Sequence, residues 1–418
     1  MTYPERTVVT GAGLAGLRTV MSLRERGYPG RITLLGEEKR PPYDRPPLSK
    51  KVLTEPGPVL PEAGLPGAGL PGAGLPEAGL PEAVDPSLKA DFGALDVDFR
   101  PAEAATGLSD GVVTTNHDKY AFDRLVITTG AVPIALPGPG PQRFLRTYDD
   151  ALALRALLRP GLRLAIIGAG WIGAELATAA AAAGCAVTVV EAGPTPLAGA
   201  LGTEIGARTA AWYEAAGVSL RTGVAVESVE PGGLALAGGE WLPGDEVVTA
   251  VGVRPAVGWL AGSGVLLGDG VVVDAGLRAS LPGVFAAGDC ASFWSRLFGT
   301  RMRIEHWDAA LHAPGVAAAN VLGGDEEYDP VPYFWSEQFG RMVQYVGHHG
   351  GGDRLVWRGD PAGERWSACW LDGARLTAVL AVGRPRDMVQ GRRLIAARAL
   401  VDADRVADPD IAVKDAAA

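Results

Sequence analysis

The chain has 418 residues, room for two or three ordinary domains, and 47% of them are hydrophobic against 21% charged, which excludes a globally disordered chain. Its formal net charge of -10 argues against nucleic acid or an anionic membrane as a principal partner. The three cysteines, Cys185, Cys290 and Cys369, lie far apart, so neither a CxxC zinc knuckle nor an adjacent redox pair is present, no metal site is expected, and a reducing cytoplasm fits.

In chain order, a strand-like run at Thr7–Thr10 begins almost at once and leaves no room for a signal peptide. Residues Arg6–Glu37 read as strand, glycine turn, helix and second strand, a βαβ unit. A proline-rich block, Arg40–Lys50, follows. Residues Ala63–Glu82 are four consecutive AGLP(E/G) pentads. Proline at every fifth position forbids a helix there, so a surface loop or insertion is expected. Strand-like runs return at Gly111–Thr115 and at Leu125–Thr129, the second closed by Gly130.

A second βαβ unit spans Leu162–Glu191. Within it the longest uncharged stretch, Leu176–Val190, falls short of the ~20 residues a membrane helix needs and reads as helix running into strand. Short alternating segments continue through WLPGDEVVTAVGVRP, and Val284–Ala291 is another apolar strand that ends at Gly288-Asp289. Beyond about Tyr328 the chain turns rich in Trp, Tyr, Val and Arg, which predicts a small mainly β domain with a helix near Met388–Leu400.

The chemistry concentrates in two glycine motifs. The first is Gly11-Ala12-Gly13-Leu14-Ala15-Gly16. Its first glycine permits the tight turn, the second lets the backbone approach a pyrophosphate, and the third lets helix and strand pack closely. Glu37 ends the next strand, about 20 residues on, where a carboxylate accepts hydrogen bonds from an adenosine ribose. The second motif, Gly168-Ala169-Gly170-Trp171-Ile172-Gly173, is followed at a similar distance by Glu191. A 2′-phosphate would meet Glu191 as like charge, and no basic residue is near, so NADH is expected over NADPH. One motif then holds a resident flavin dinucleotide, FAD, and the other an exchangeable nicotinamide dinucleotide. Asp289, at the end of a late strand, is expected to reach the ribityl chain of the flavin. The fold class is therefore α/β, with two Rossmann-like dinucleotide-binding domains arranged as in glutathione reductase and a small α+β C-terminal domain. The expected division is 1–140 and 246–326 for FAD, 141–245 for NAD and 327–418 for the C-terminal interface domain.

The segments YDRPPLSK, GAGWIGAE, GVRP, VFAAGDCA, EHW and FWSEQ together resemble the FAD-dependent ferredoxin reductases of bacterial oxygenase systems, the putidaredoxin reductase group. The likeness runs from Thr7 to roughly Leu400. It implies that Gly11, Gly13, Gly16 and Glu37 hold the FAD pyrophosphate and ribose, with Leu14 and Ala15 in the same loop. It implies that Arg45 and Lys50 approach the flavin from the proline-rich loop, with Lys50 paired to Glu175 beside the flavin N5 edge. Gly168, Gly170, Trp171, Ile172, Gly173, Glu175 and Glu191 would receive NADH. Gly252 would border the nicotinamide path, Gly130 and Gly288 would line the flavin site, and Trp307 would contact the isoalloxazine. The adenine cover is placed near Ala105. The family commonly carries arginine where Val132 and Ile134 stand, so that phosphate or adenine contact lacks its usual residue here.

The resemblance also implies the activity, an NADH-dependent ferredoxin oxidoreductase. Hydride passes from NADH to FAD, then single electrons pass to a [2Fe-2S] ferredoxin serving a cytochrome P450 or a ring-hydroxylating dioxygenase. A monomer or weak dimer is expected. Rubredoxin or nitrite reductase components, and apoptosis-inducing-factor-like flavoproteins, share this flavin logic. Disulfide reductases place a cysteine pair in the segment matching Arg45–Lys50, and no cysteine precedes Cys185, which excludes that chemistry. An acidic ferredoxin would need a local basic surface on this acidic chain. Arg296, Arg301 and Arg303, with Lys50 and Lys51, are the candidates.

Overall fold

The computed structural model describes residues 4–55 and 86–418; the pentads of Ala63–Glu82 lie outside the described residues. Among the described residues, 4–44, 86–132 and 254–334 form one compact unit, and 45–55, 133–253 and 335–418 form a second.

The first unit is built on a five-stranded parallel sheet in the order Val284–Ala286, Arg124–Ile127, Arg6–Thr10, Arg31–Leu35, Val97–Arg100. After an exposed first residue, Arg6–Thr10 and Arg31–Leu35 are buried along their length. This is the mark of a parallel sheet covered on both faces, and it explains the unbroken apolar runs in the sequence. The helix Leu14–Glu25 buries Leu14, Ala15, Leu17, Thr19, Val20, Ser22 and Leu23, positions that lie around most of its circumference, as in a helix covered by protein on several sides. It packs along the helix Trp307–Val321. An antiparallel meander, Ala105–Ser109, Val112–Thr115 and Lys119–Ala121, interrupts the parallel order.

The strand expected over Val284–Ala291 stops at Ala286. Gly288 takes a left-handed φ of +77°, a region that disrupts an extended run, and the chain resumes as the strand Ala291–Ser295 in a different sheet.

The second unit repeats the pattern. Its parallel sheet runs Ser219–Thr222, Ala186–Glu191, Arg163–Ile167, Glu246–Thr249. The stretch Leu176–Val190 is divided between the helix Trp171–Ala182 and the strand Ala186–Glu191, as its length predicts. The helix buries Gly173, Ala174, Leu176, Ala177 and Ala180. Small side chains let it lie close to the sheet.

The C-terminal part of this unit is a five-stranded sheet in the order Tyr333–Gln338, Arg341–Gly347, Arg375–Val382, Trp366–Asp372, Arg354–Arg358. The helix expected over Met388–Leu400 runs instead from Pro385 to Ala396. Pro385 occupies the first turn, where its missing N–H is harmless, and Arg398 at φ +52° ends the helical path. Among the described residues no helix is long and apolar enough to cross a membrane.

Candidate functional site

In the first unit, the turn after the strand Arg6–Thr10 demands glycine at two points. Gly11 has φ +100°, and a Cβ there would lie 2.3 Å from the Thr128 carbonyl oxygen. A Cβ on Gly16 would lie 1.9 Å from the Gly11 oxygen. Gly13 differs, because a Cβ on it would meet nothing within 4 Å. The loop is thus closed against the protein at its first and third glycines and open at its second. The Thr128 hydroxyl holds this shape by sharing its one proton between the carbonyls of Thr10 at 2.8 Å and Gly11 at 2.9 Å.

Gly13 caps the helix Leu14–Glu25 with no side-chain acceptor, and no acidic residue sits in the first turn. The first N–H groups of the helix therefore keep their partial positive charge for an anion. Such an end is a ready phosphate site, and the residues fit a dinucleotide pyrophosphate. Glu37 is exposed at the end of the next strand, and a Cβ on its neighbour Gly36 would lie 2.8 Å from the Ala12 side chain, so the acid emerges beside the loop.

Gly288 approaches the same helix end: a Cβ there would lie 3.1 Å from the Ala15 side chain. Asp289 follows it directly, half-buried. The Trp307 indole N–H donates to the Asp44 carboxylate at 2.6 Å, and burial pushes Asp44 up to about 6. His306, its ring 4.4 Å from that of Phe334, is held down to about 4 by burial, with Asp289 opposing. Ala105 starts its strand opposite Thr115 and packs against the core of this unit. Two residues before it, the Glu103 N–H donates to the Gly36 carbonyl at 2.7 Å. Val132 is 36% exposed, and Gly130 has φ +70°.

In the second unit the same construction recurs at Gly168 (φ +98°), Gly170 and Gly173. A Cβ on Gly168 would lie 2.5 Å from the Ala250 oxygen, one on Gly170 would point into open space, and one on Gly173 would lie 2.0 Å from the Gly168 oxygen. Gly170 caps the helix Trp171–Ala182 without a side-chain bond or a first-turn acid. Ile172 is 42% exposed on that first turn. Gly252 follows the Ala250–Val251 backbone that abuts this loop, at φ +108°, and accepts from the Ile134 N–H at 3.1 Å.

Glu191 does more than reach the loop. One carboxylate oxygen accepts the Ala169 N–H and the other the Gly193 N–H, each at 2.7 Å. Sequence spacing places the acid but gives no sign of this tie.

Glu175, in the apolar helix, requires a partner because an unpaired buried carboxylate is costly. It finds several. Lys50 Nζ donates to Oε2 at 2.9 Å, and the Ser49 hydroxyl donates to the same oxygen. Oε1 accepts the Ser336 hydroxyl at 2.6 Å and the Glu337 N–H at 3.2 Å. Lys50 also approaches the Pro46 carbonyl at 3.3 Å. Ser49 and Ser336 stand in segments the sequence singles out, but no spacing rule links them to Glu175. Arg45 donates to the Arg146 carbonyl at 2.7 Å.

The basic surface expected at Arg296, Arg301 and Arg303 is largely neutralised. Arg296 pairs with Glu327, while Arg303, 11% exposed, pairs with Asp269 and Glu305. Arg301 turns back to the Ser292 carbonyl at 2.7 Å. The pattern of alternating arginines hides Asp269 and Glu327 because they lie on other segments, whereas Glu305 stands two residues from Arg303.

Cys185, Cys290 and Cys369 carry no disulfide. Burial pushes the thiols of Cys290 and Cys369 up to about 11 and about 12, so neither is a ready nucleophile.

Known proteins resemble the chain along nearly its whole length. The family model for pyridine nucleotide-disulphide oxidoreductase matches residues 5–313, and the model for a reductase C-terminal domain matches 333–417. The ferredoxin–NAD(+) reductase component of the p-cumate 2,3-dioxygenase system of Pseudomonas putida is 35% identical, covering 99% of this chain and 98% of that protein. The crystal structure of Fdr9 is similar at a TM-score of 0.89 and 46% identity, over 98% of this chain and 99% of that one. The reductase in the covalent putidaredoxin reductase–putidaredoxin complex matches at a TM-score of 0.87 and 28% identity, over 99% and 98%.

Proposed function

Because the chain belongs to the pyridine nucleotide-disulphide oxidoreductase family and carries its reductase C-terminal domain, we propose that it is an NADH-dependent ferredoxin reductase serving an oxygenase. The observation that carries this reading is the pair of helix N-termini at Gly13 and Gly170, both uncapped by any side chain and both free of first-turn acids. Two anion sites of this kind on one chain suit two dinucleotides.

The family uses FAD and NAD(H), and bound FAD supplies the conversion between two-electron hydride chemistry and one-electron transfer. The protein's own residues bind and orient. Gly11, Gly13, Gly16 and Glu37 hold the FAD pyrophosphate and ribose in residues 1–140 and 246–326, with Asp289 on the ribityl side and Trp307 against the ring. Gly168, Gly170, Gly173 and Glu191 hold NADH in residues 141–245. Lys50 presents an ammonium fixed by Glu175, where it favours charge developing during hydride transfer. None of these roles needs a cysteine. The relatives named above act with ferredoxins or putidaredoxin in their own systems, and a [2Fe-2S] ferredoxin is the acceptor proposed here. The unpaired thiols suit a reducing cytoplasm.

The test is an electron-transfer assay on the purified, FAD-loaded chain. NADH should drive rapid ferricyanide reduction, and cytochrome c reduction should be slow until a [2Fe-2S] ferredoxin is added. Cytochrome c reduction indifferent to ferredoxin would contradict the reading.

A further inference from the structure

Lys50 is held by one carboxylate, and that carboxylate is held from two sides. Lys50 and Ser49 take Oε2 of Glu175, whereas Ser336 and the Glu337 N–H take Oε1. Half of the hydrogen bonding around Glu175 therefore comes from residues 336–337, which fall in the part of the chain matched by the reductase C-terminal model.

Ser336 is 1% exposed and Gln338 is fully buried. The Gln338 side-chain N–H donates to the Ser336 hydroxyl oxygen at 3.1 Å. That donor occupies the acceptor side of the hydroxyl, so the single Ser336 proton points to Glu175. The segment is pinned again three residues along the helix, where the Phe339 N–H donates to the Thr178 hydroxyl at 3.0 Å. Positions 175 and 178 share a helix face. Phe339 holds φ +50°, a backbone state that a bulky side chain adopts only when its surroundings impose it. Its ring lies 4.6 Å from that of Tyr213.

The geometry points to Ser336 as a positioning residue for hydride transfer. It fixes the Glu175 carboxylate from the C-terminal side and through it the Lys50 ammonium. The inference rests on the role proposed above for the Lys50–Glu175 pair, so the test carries a control for that role.

The experiment compares the FAD-loaded wild type with Ser336→Ala, Ser336→Thr and Lys50→Met. Stopped-flow reduction by NADH yields the limiting rate and the apparent Kd, and FAD content, thermal midpoint and flavin reduction potential are measured on the same samples. Removing one hydrogen bond to a charged group should lower the limiting rate of Ser336→Ala about tenfold. NADH affinity, FAD content and thermal midpoint should stay close to wild type. Ser336→Thr, which keeps the hydroxyl, should recover most of the rate. Wild-type reduction by Ser336→Ala beside a slow Lys50→Met overturns this inference and leaves the role of the pair intact. A wild-type rate in Lys50→Met overturns both. Loss of FAD or of thermal stability in Ser336→Ala, with no recovery in Ser336→Thr, makes Ser336 a structural anchor and overturns the inference as well.

Discussion

The Trp307 indole N–H donates to the Asp44 carboxylate at 2.6 Å, tying the proline-rich loop to the first turn of a helix 263 residues further on. Burial raises Asp44 to about 6, against an ordinary value of 3.8. The neighbour of Trp307, His306, is lowered by burial to about 4 from 6.5.

These two groups drive opposite pH dependences of stability. Between about pH 4 and 6, the native state keeps a proton on Asp44 that the unfolded chain has released, so this contribution is lost as pH rises. Between about pH 4 and 6.5, the unfolded chain protonates His306 while the native state does not, so that contribution is lost as pH falls. Asp44→Asn should remove the first and gain stability relative to wild type as pH rises from 4 to 6, by about 2 kcal/mol. His306→Gln should lose stability relative to wild type over the same range. Denaturant unfolding at several pH values checks both. Differences from wild type that do not vary with pH would contradict the assignment.

Glu191 is expected to resist conversion of coenzyme preference. An arginine there would attract a 2′-phosphate, but it would also leave the Ala169 and Gly193 N–H groups without their acceptors. Each stranded amide costs about 1–3 kcal/mol where it is shielded from water. Glu191→Arg should therefore lose NADH efficiency more than tenfold without becoming an NADPH enzyme, and Glu191→Gln should be milder. The kcat/KM values for both coenzymes check this, and a clean reversal by the single change would show that the tie to the loop is dispensable.

Arg358 is the structural centre of the C-terminal region. It is 1% exposed, donates to Asp387 at 3.0 Å, and donates to the carbonyls of Val406, Asp408, Pro409 and Ile411. Arg358→Met should destabilise the protein by about 3–5 kcal/mol, as breaking a buried pair does, and should speed amide exchange across residues 406–411. Arg358→Lys should recover little, because an ammonium cannot spread donors over that many carbonyls. Full recovery by lysine would mean that charge alone suffices.

What the sequence reveals follows from how local the physics is. Both glycine loops are legible because their strained backbone admits only glycine at fixed spacing, and the strands because a sheet buried on both faces leaves unbroken apolar runs. The Lys50–Glu175 pairing comes through resemblance, since no periodicity relates a loop lysine to a helix acid 125 residues away. Ser336, Asp44 and the double tie of Glu191 to its loop depend on tertiary approach and carry no pattern of their own. The arginine cluster misleads for the same reason: Asp269 and Glu327 are remote or unremarkable in sequence, yet they neutralise two of its members.

The most direct measurement is an anaerobic titration of the purified, FAD-loaded chain. It should carry one non-covalent FAD per chain, and about one equivalent of NADH should bleach its visible flavin absorbance, since one hydride carries the two electrons that full reduction requires. NADPH should do so far more slowly. Electrons should then pass to an added [2Fe-2S] ferredoxin, with recovery of the oxidised flavin spectrum. A well-folded chain that takes up no FAD, or a bound flavin that NADH does not reduce, would contradict the account.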